Sequence, residues 1–321
     1  MPVPLYHTFG MVIGNLGTLS HGACLVYPAP AFDPKATLAA VAEERCTSLY
    51  GVPAMFIAEL AEPDFDAYDL SSLRTGAMGG SPCPVEVLKQ VVDWMGMADV
   101  TVVYGMTETS PVSAQTRADD PLDRRMSTVG RVHPHVEIKI ADPETGVTVP
   151  RGVPGELCTR GYSVMLGYWQ QPDKTAEAID PARWMHTGDL ATMDTDGYIN
   201  ITGRLKDMVI RGGENISPRE IEEFLHTHPD VQDVQVIGVP DARLGEEIMA
   251  WIRLRPGARP MTAADMRAYA DGKLAHYKIP RYVRIVADFP MTASGKVRKV
   301  DMRKAAIDLL ALTDIAASQH A

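Results

Sequence analysis

The sequence predicts an α/β protein with three parts: an incomplete parallel-sheet subdomain, a small β-barrel-like subdomain, and an α+β C-terminal domain. In the first hundred residues, short apolar runs alternate with amphipathic stretches, which is the βαβ pattern of a parallel sheet covered by helices. From about Thr128 the apolar runs are broken by Gly and Pro, as in antiparallel barrels. A shorter alternation of helices and strands follows after Lys206.

The first part contains strands and helices in alternation. Asp33 before Pro34 is the pattern of an N-cap followed by proline at the first helical position, so a helix is expected from there to about Arg45. A second helix is expected to open at Ser81–Pro84 and to end near Gly96. Strands are expected at 22–27, 47–50, 73–78 and 100–104. Their ends would lie at one edge of the sheet, where open α/β sheets bind ligands.

The same patterns predict the bounds of the domains and the later strands and helices. We expect the large domain to span 1–205, with the parallel sheet in 1–125 and the barrel-like part in 126–205, and the small domain to span 206–321. The tail after Lys304 is rich in alanine and is expected to fray. Further strands are expected at 136–140, 155–159, 198–202, 234–239, 247–253 and 282–286, and helices at 172–179, 218–226 and 263–274.

Composition narrows the class of protein. The 321 residues include 31 Lys and Arg against 41 Asp and Glu, a net charge of −10, which argues against a nucleic-acid partner. The longest apolar runs are far too short for a transmembrane helix, and the N-terminus lacks the pattern of a secretory signal. Four scattered cysteines indicate reduced thiols. We therefore expect a cytoplasmic protein.

The segment Tyr104–Pro111 follows a predicted strand and carries groups suited to a phosphate site. Gly105 would permit a tight turn, Thr107 offers a hydroxyl to an anion, and Glu108 is a hard oxygen ligand of the kind that Mg²⁺ prefers. The alternative is an ordinary turn that joins a strand to a loop. The segment alone favours neither the phosphate site nor the turn.

A glycine-rich segment, 73–82, stands at the end of the preceding predicted strand. Gly79 and Gly80, followed by Ser81, would let a planar ligand or a phosphate approach the backbone. The pattern is not the G-x-G-x-x-G of dinucleotide-binding folds, and an ordinary glycine-rich turn is the alternative.

Three later segments add charged groups. Asp189 and Arg204, expected on loops beside strands, could hold two ribose hydroxyls or form a surface ion pair. The glycines of Arg211–Asn215 could form an anion-binding nest or a hairpin turn. Lys296 follows Ser294 and Gly295, but the segment lacks the other residues of a P-loop. Lys296 is either an ordinary solvated lysine or, as the sharper hypothesis, a mobile lysine that is delivered to a phosphoryl centre.

In this order, the motifs resemble those of the adenylate-forming (ANL) superfamily of acyl-CoA synthetases, luciferases and peptide-synthetase adenylation domains. The resemblance covers essentially the whole chain, and residues 3–11 and 162–169 are most similar to medium- or long-chain fatty acyl-CoA synthetases. The segments that carry it are Pro4–His7, Tyr104–Glu108, Gly155–Glu156, Thr187–Asp189, Gly203–Arg204, Gly213–Asn215 and Ser294–Lys296.

The resemblance implies a two-step ligase that uses ATP, CoA and Mg²⁺. A carboxylate attacks the α-phosphate of ATP to give acyl-AMP and pyrophosphate, and the CoA thiol then displaces AMP. It implies that Lys296, Thr107 and Glu108 act on the phosphates, with Glu108 holding Mg²⁺, and that Lys206 is the hinge of the small domain. It further implies a nucleotide site at Gly79, Gly80, Ser81, Tyr104, Gly105, Asp189 and Arg204, and an acyl and CoA channel at His7 and Gly213.

One departure bears on activity. Family members carry, upstream of the Pro4–His7 segment, a phosphate loop rich in Ser, Thr and Gly that ends in Pro-Lys-Gly, and this sequence begins after it. A parallel sheet with protected edges also leads us to expect a strand before the apolar run Phe9–Leu16. The alternatives are a fragment of a synthetase, a chain complemented by an upstream chain, a non-catalytic nucleotide-binding remnant, a scaffold, and an enzyme that adenylates another acid or serves a carrier protein.

Overall fold

The structure is a computed structural model that describes residues 1–292 and 295–318. The described residues fall into two units, 1–201 with 295–296, and 202–292 with 297–318. The division after residue 201 lies inside a strand, Ile199–Arg204, and the boundary that the sequence predicts after residue 205 stays a prediction.

A five-stranded sheet forms the centre of the first unit. Its strands are arranged in sequence order, with the first three parallel and the last two antiparallel to their neighbours. The α/β class and the parallel sheet that the sequence predicts are therefore confirmed. The strands are β1 (Ser48–Gly51), β2 (Thr75–Gly79), β3 (Asp99–Gly105), β4 (Val112–Gln115) and β5 (Arg131–Val132).

The helices of this region begin and end for local reasons that the sequence contains. Asp33 Oδ1 accepts a hydrogen bond from the Ala36 amide at 2.6 Å, which confirms the predicted N-cap. Another helix ends at Gly96, whose left-handed backbone (φ 72°) is the usual helix C-terminus. The helices are α1 (Gly17–Ser20), α2 (Pro34–Glu43), α3 (Pro53–Leu60), α4 (Val85–Met95) and α5 (Leu122–Ser127).

The predicted strand at 22–27 is wrong. These residues have extended or irregular backbone, are exposed or half-buried, and belong to none of the three described sheets. A strand requires a neighbour for its amide and carbonyl groups, and an apolar run alone does not supply one. The preceding run, Phe9–Leu16, forms a π-helical segment.

A second sheet of four strands, in the order β6-β7-β8-β9, follows in sequence. The barrel-like subdomain that the sequence predicts is an open sheet in the described chain, because its two outer strands are not hydrogen-bonded to each other. Its apolar side chains join the core of the first sheet, where Leu157 and Ile199 are fully buried. The strands are β6 (Val136–Ala141), β7 (Gly155–Gly161), β8 (Met185–Met193) and β9 (Ile199–Arg204), and α6 (Pro172–Ala178) lies between β7 and β8 in sequence.

The second unit has its own mixed sheet, with the order β11-β10-β13-β12 and β14 parallel to β13. Two buried clusters fill it, one on Ile221 and Leu225, the other on Trp251 and Met302. Its elements are β10 (Val209–Arg211), β11 (Glu214–Ile216), α7 (Pro218–His226), β12 (Val231–Asp241), β13 (Gly245–Leu254), α8 (Ala263–Ala270), β14 (Tyr282–Ile285), α9 (Lys299–Leu309) and α10 (Thr313–Ser318).

Two predictions about this unit need correction. The tail after Lys304 does not fray at once, because α9 continues to Leu309 and Ala306 is fully buried against the sheet. Helix α8 ends at Ala270, four residues earlier than predicted.

All four cysteines are free thiols, as expected. Among the described residues, no helix combines the length and the apolarity that a bilayer crossing requires.

Candidate active site

The carboxyl ends of β2 and β3 bring the first group of predicted site residues to one edge of the sheet. Gly79, the last residue of β2, pairs with Val103, and Tyr104 and Gly105 are the next two residues of β3. Gly80 and Ser81 follow directly after β2. Because the two strands are parallel and in register, the glycine-rich segment and Tyr104 lie at the same edge, as the sequence predicts.

Gly105 is needed because the backbone of Pro111 approaches it closely, and not because it forms a left-handed turn. A side-chain carbon at this position would lie 1.7 Å from the Pro111 carbonyl oxygen, so only glycine fits. The left-handed residue of this loop is Ser110, with φ 59°. The expectation that Gly105 makes a tight turn is therefore corrected: the backbone of 111–112 occupies the space where a side chain would stand.

A buried threonine fixes the short helix that carries Thr107 and Glu108. The segment Thr107–Thr109 is a single 3₁₀ turn after β3. Thr109 Oγ1 accepts a hydrogen bond from the Met106 amide at 3.1 Å and lies 2.8 Å from the Pro111 carbonyl oxygen, which it can donate to. Sequence reasoning missed Thr109, since a lone threonine in a loop carries no signal that it will be buried.

Glu108 is held at two points by the segment that follows β7. The Tyr168 hydroxyl donates to Glu108 Oε1 at 2.9 Å, and the Met165 amide donates to the Glu108 carbonyl oxygen at 2.8 Å. Burial and the adjacent carboxylate raise the pKa of Tyr168, so the hydroxyl keeps its proton and stays a donor. Glu108 is half-buried, and Oε2 accepts no hydrogen bond from the described residues. A carboxylate with one oxygen left available in this way is suited to be a ligand of Mg²⁺.

Asp189 lies in β8 rather than in a loop, which corrects the prediction. Its side chain is buried, and Oδ2 accepts a hydrogen bond from the Tyr104 hydroxyl at 2.8 Å. The structure thus joins two predicted site residues that are 85 positions apart in sequence. One end of β3 and the middle of β8 share a polar contact at the carboxyl edge of the parallel sheet.

A cluster of Glu156, Cys158 and His186 lies beside Asp189. The ligand atoms of the three side chains are within 4.8 Å of one another. His186 Nδ1 is 2.7 Å from Glu156 Oε2 and 3.6 Å from Cys158 Sγ. Burial, followed by the charge of Glu156, raises the pKa of the Cys158 thiol to about 12. The thiol is therefore protonated and unreactive at neutral pH.

Lys296 and His7 belong to the first unit. Lys296 Cε lies 3.7 Å from the point that a side-chain carbon at Gly80 would occupy, so its aliphatic stem passes beside the glycine-rich segment. His7 Nδ1 accepts a hydrogen bond from the Phe9 amide at 3.2 Å. Burial, and then the charge of Lys296, lowers the pKa of His7, so the ring is neutral at pH 7. Ser294, part of the predicted lysine motif, lies outside the described residues.

The remaining predicted residues belong to the second unit. Arg204 is the last residue of β9, not a loop residue as predicted, and Lys206 lies in the 3₁₀ turn Leu205–Asp207. Gly213 is in the two-residue turn of the β10–β11 hairpin, with φ 87°. The hairpin alternative for this segment is thereby confirmed.

Curated proteins are similar to this chain over nearly its whole length. The chain is 57% identical over 98% of its length to YngI of Bacillus subtilis (strain 168), and 48% identical over 95% to the bovine mitochondrial protein named medium-chain acyl-CoA ligase ACSF2. These alignments cover 57% and 49% of the two relatives, so the chain spans about half the length of the curated relatives it matches.

Two solved structures have the same fold. ATP-bound MatB from Rhodopseudomonas palustris matches 96% of this chain and 59% of its own, with a TM-score of 0.85 and 34% identity. The anthranilate CoA ligase AuaEII in complex with anthranoyl-AMP matches 95% and 58%, with a TM-score of 0.85 and 32% identity.

Two family models together match most of the chain. The model of the AMP-binding enzyme family matches residues 1–169, and that of the AMP-binding enzyme C-terminal domain matches residues 220–296. The first of these spans more than half of the 321 residues and includes Tyr104, Thr107 and Glu108. The chain belongs to the family of AMP-binding enzymes.

Proposed function

We propose that this chain is part of an acid–thiol ligase that activates a medium- or long-chain fatty acid. The carboxylate attacks the α-phosphate of ATP, forming acyl-AMP and releasing pyrophosphate, and the CoA thiol then displaces AMP to give acyl-CoA. One observation carries the proposal: Tyr104 and Asp189 meet at the sheet edge that also holds Gly79 and Glu108. The name of the bovine relative, a medium-chain acyl-CoA ligase, supports the fatty substrate.

The nucleotide would lie at the ends of β2 and β3. Gly79, Gly80 and Ser81 have little or no side chain, so the backbone can approach the adenine closely, and the Tyr104 ring would cover one face. The buried carboxylate of Asp189 would accept hydrogen bonds from the ribose hydroxyls. Arg204, in the second unit, is the further ribose ligand of the proposal.

The phosphates would meet Thr107, Glu108 and Lys296. Negative charge grows on the phosphoryl oxygens as the acid attacks, so fixed positive charge there lowers the barrier. The Lys296 ammonium supplies one such charge, and the Thr107 hydroxyl donates a hydrogen bond. When bound, Mg²⁺ would neutralise phosphate oxygens, and the Glu108 carboxylate, oriented by Tyr168, would be its protein ligand.

Residues outside this cluster serve the second half-reaction in our proposal. His7, neutral and with Nδ1 occupied by the Phe9 amide, would line the channel between the acyl group and the pantetheine of CoA. Gly213, in its turn, leaves room for the CoA thiol to approach. Lys206, in the 3₁₀ turn after β9, would be the hinge about which the small domain rotates between the two steps.

A second candidate differs only in the acid. One structural neighbour is named an anthranilate CoA ligase, so an aryl acid fits the same fold. Product analysis with aryl as well as fatty acids separates the two candidates.

The decisive experiment measures both half-reactions. The chain is incubated with Mg-ATP, CoA and a panel of fatty acids from C4 to C16, and acyl-AMP and acyl-CoA are quantified by mass spectrometry. Replacing Lys296 with alanine removes a charge from the phosphoryl centre and is expected to slow acyl-AMP formation by about 100-fold or more. Thioester formation from supplied acyl-AMP should change far less.

The matched control is Lys174→Ala, which removes an exposed lysine from α6 and should leave both rates unchanged. Equal losses in both half-reactions of the Lys296→Ala variant would contradict the role of Lys296. A folded wild-type chain that neither forms acyl-AMP nor binds AMP would contradict the proposed function itself.

A further inference from the structure

The pairing of β7 with β8 is interrupted beside Asp189. Cys158 on β7 pairs with His186 on β8, but two residues earlier Glu156 pairs with Leu190. Three residues of β8, Thr187–Asp189, therefore stand opposite Leu157 alone. Such a bulge takes backbone amides out of the regular ladder, and each buried amide then needs another acceptor.

Gly188 is the centre of this bulge. Its backbone is left-handed, with φ 70°, a conformation that residues with a side chain adopt at a cost. Its amide donates to Glu156 Oε1 at 3.0 Å, so a side-chain carboxylate takes the place of the missing carbonyl acceptor. Glu156 is only 6% exposed, and water competes little for this hydrogen bond.

The other oxygen of Glu156 is also occupied. Oε2 lies 2.7 Å from His186 Nδ1, which donates to the carboxylate and fixes its rotation. Both carboxylate oxygens are therefore used, and the Cys158 thiol beside them keeps its proton because burial raises its pKa. A cation at this cluster would have to displace all of these interactions, so the geometry favours a hydrogen-bonded support over a metal site.

The residue after Gly188 is Asp189, and its position depends on the bulge. The Asp189 amide donates to Thr187 Oγ1 at 3.2 Å, and Thr187 Oγ1 donates to the Leu157 carbonyl oxygen at 2.7 Å. Glu156 and Thr187 thus hold the backbone on both sides of the peptide that leads into Asp189. The carboxylate of Asp189 can then face the Tyr104 hydroxyl without searching other rotamers.

We propose that Glu156, oriented by His186, is a positioning residue that fixes the Asp189 carboxylate for the ribose hydroxyls of the nucleotide. The inference rests on the proposed function, in which Asp189 binds ribose. Glu156 itself touches no substrate. Removing its carboxylate leaves the half-buried Gly188 amide without this acceptor, so the bulge rearranges and Asp189 loses its orientation.

The test compares AMP with 2′,3′-dideoxy-AMP, which lacks the hydroxyls that Asp189 would bind. Dissociation constants are measured by calorimetry for the wild-type chain, Glu156→Ala, Glu156→Gln and the control Glu137→Ala, which removes an exposed carboxylate from neighbouring β6. We expect Glu156→Ala to weaken AMP binding about tenfold while binding of the dideoxy analogue stays unchanged. Glutamine keeps an acceptor for the Gly188 amide, so it should restore most of the preference for AMP.

A second measurement does not depend on any nucleotide. Exchange of the Gly188 amide with solvent deuterium, followed by NMR, should be at least about tenfold faster in Glu156→Ala than in the wild-type chain. If the alanine variant does not fold, Glu156→Asp serves instead, because its shorter side chain withdraws the carboxylate from the amide while keeping the charge.

The outcomes separate the two proposals. Unchanged preference for AMP in Glu156→Ala, or equal weakening of both analogues, would overturn the positioning role and leave the proposed function standing. Unchanged exchange at Gly188 would overturn it as well. A folded wild-type chain that binds neither analogue would overturn the proposed function and, with it, this inference.

Discussion

The Tyr104 hydroxyl contributes to the site by donating a hydrogen bond to the buried carboxylate of Asp189. Tyr104→Phe removes that donor to Asp189 Oδ2 and keeps the aromatic ring. A hydrogen bond to a charged carboxylate contributes about 1.5–3 kcal/mol, so the dissociation constant for AMP should rise about tenfold or more. Calorimetric titration with AMP measures the change.

The control for this variant is Tyr162→Phe, which removes a hydroxyl from a ring that is 80% exposed. It should leave AMP binding unchanged. If Tyr104→Phe binds AMP as tightly as the wild-type chain, the hydrogen bond between Tyr104 and Asp189 does not serve nucleotide binding.

Single residues differ in how far the sequence predicts their surroundings. The positions of Tyr104 and Glu108 at the sheet edge are predictable, because Tyr104 lies near the end of an apolar strand and Glu108 follows that strand within a few residues. The partner of Glu108 is not, since Tyr168 is 60 residues away and no local pattern connects the two. Glu156 is a similar case: its motif is visible, but its hydrogen bond to the Gly188 amide depends on a bulge that the sequence does not show.

The loop after β3 depends on one glycine. Alanine at Gly105 would place a carbon 1.7 Å from the Pro111 carbonyl oxygen, and this backbone is held by Thr109. The loop must therefore shift, and we expect Gly105→Ala to lower the free energy of unfolding of the first unit by about 1–3 kcal/mol. It should also displace Glu108 and slow acyl-AMP formation.

Urea denaturation of Gly105→Ala measures this loss. The matched control is Gly17→Ala, because a side-chain carbon there would meet its nearest neighbour, the Val12 carbonyl oxygen, at an ordinary 3.6 Å. A Gly105→Ala variant as stable as the wild-type chain would show that the 111–112 backbone can move aside.

Elements with complete local signals are the ones that the sequence predicts well. Helix α2 has its cap, its proline and its apolar face within one segment, and α7 begins and ends where predicted. Strand β8 was missed because Thr187–Asp189, with a glycine and an aspartate, resembles a loop. The strand forms because β7 accepts it on both sides of the bulge. The strand expected at 22–27 fails for the opposite reason, since it has apolar residues but no described neighbour.

At the scale of the whole chain, each unit has an apolar core of its own. The first centres on fully buried residues such as Phe56 and Met78, and the second on residues such as Ile221 and Val236. The sequence predicts two domains, because the pattern of apolar runs changes along the chain. It does not predict which buried polar groups each core contains. Glu59, in α3, is one such group: it is 1% exposed, and neither carboxylate oxygen has a hydrogen-bond partner among the described residues.

Burial raises the pKa of Glu59 from 4.5 to about 8, and this makes the stability of the first unit depend on pH. Between these values the unfolded chain releases a proton that the folded chain retains, so the free energy of unfolding falls as pH rises, by about 1.4 kcal/mol per pH unit. Below pH 4.5 both states are protonated, and above pH 8 both are ionised, so the effect is confined to this window. In the second unit, the pKa of Asp233 is raised only to about 6.

Between pH 6.5 and 8 the two units should therefore respond differently. Hydrogen-exchange mass spectrometry, corrected for intrinsic exchange rates, should show opening of α3 and β2 becoming easier with rising pH while β12 and β13 change little. Glu59→Gln has no proton to lose, so it should abolish the trend in the first unit, and Glu43→Gln, at an exposed position of α2, should preserve it. If the peptides of both units change together in every variant, Glu59 does not cause the pH dependence and this prediction is refuted.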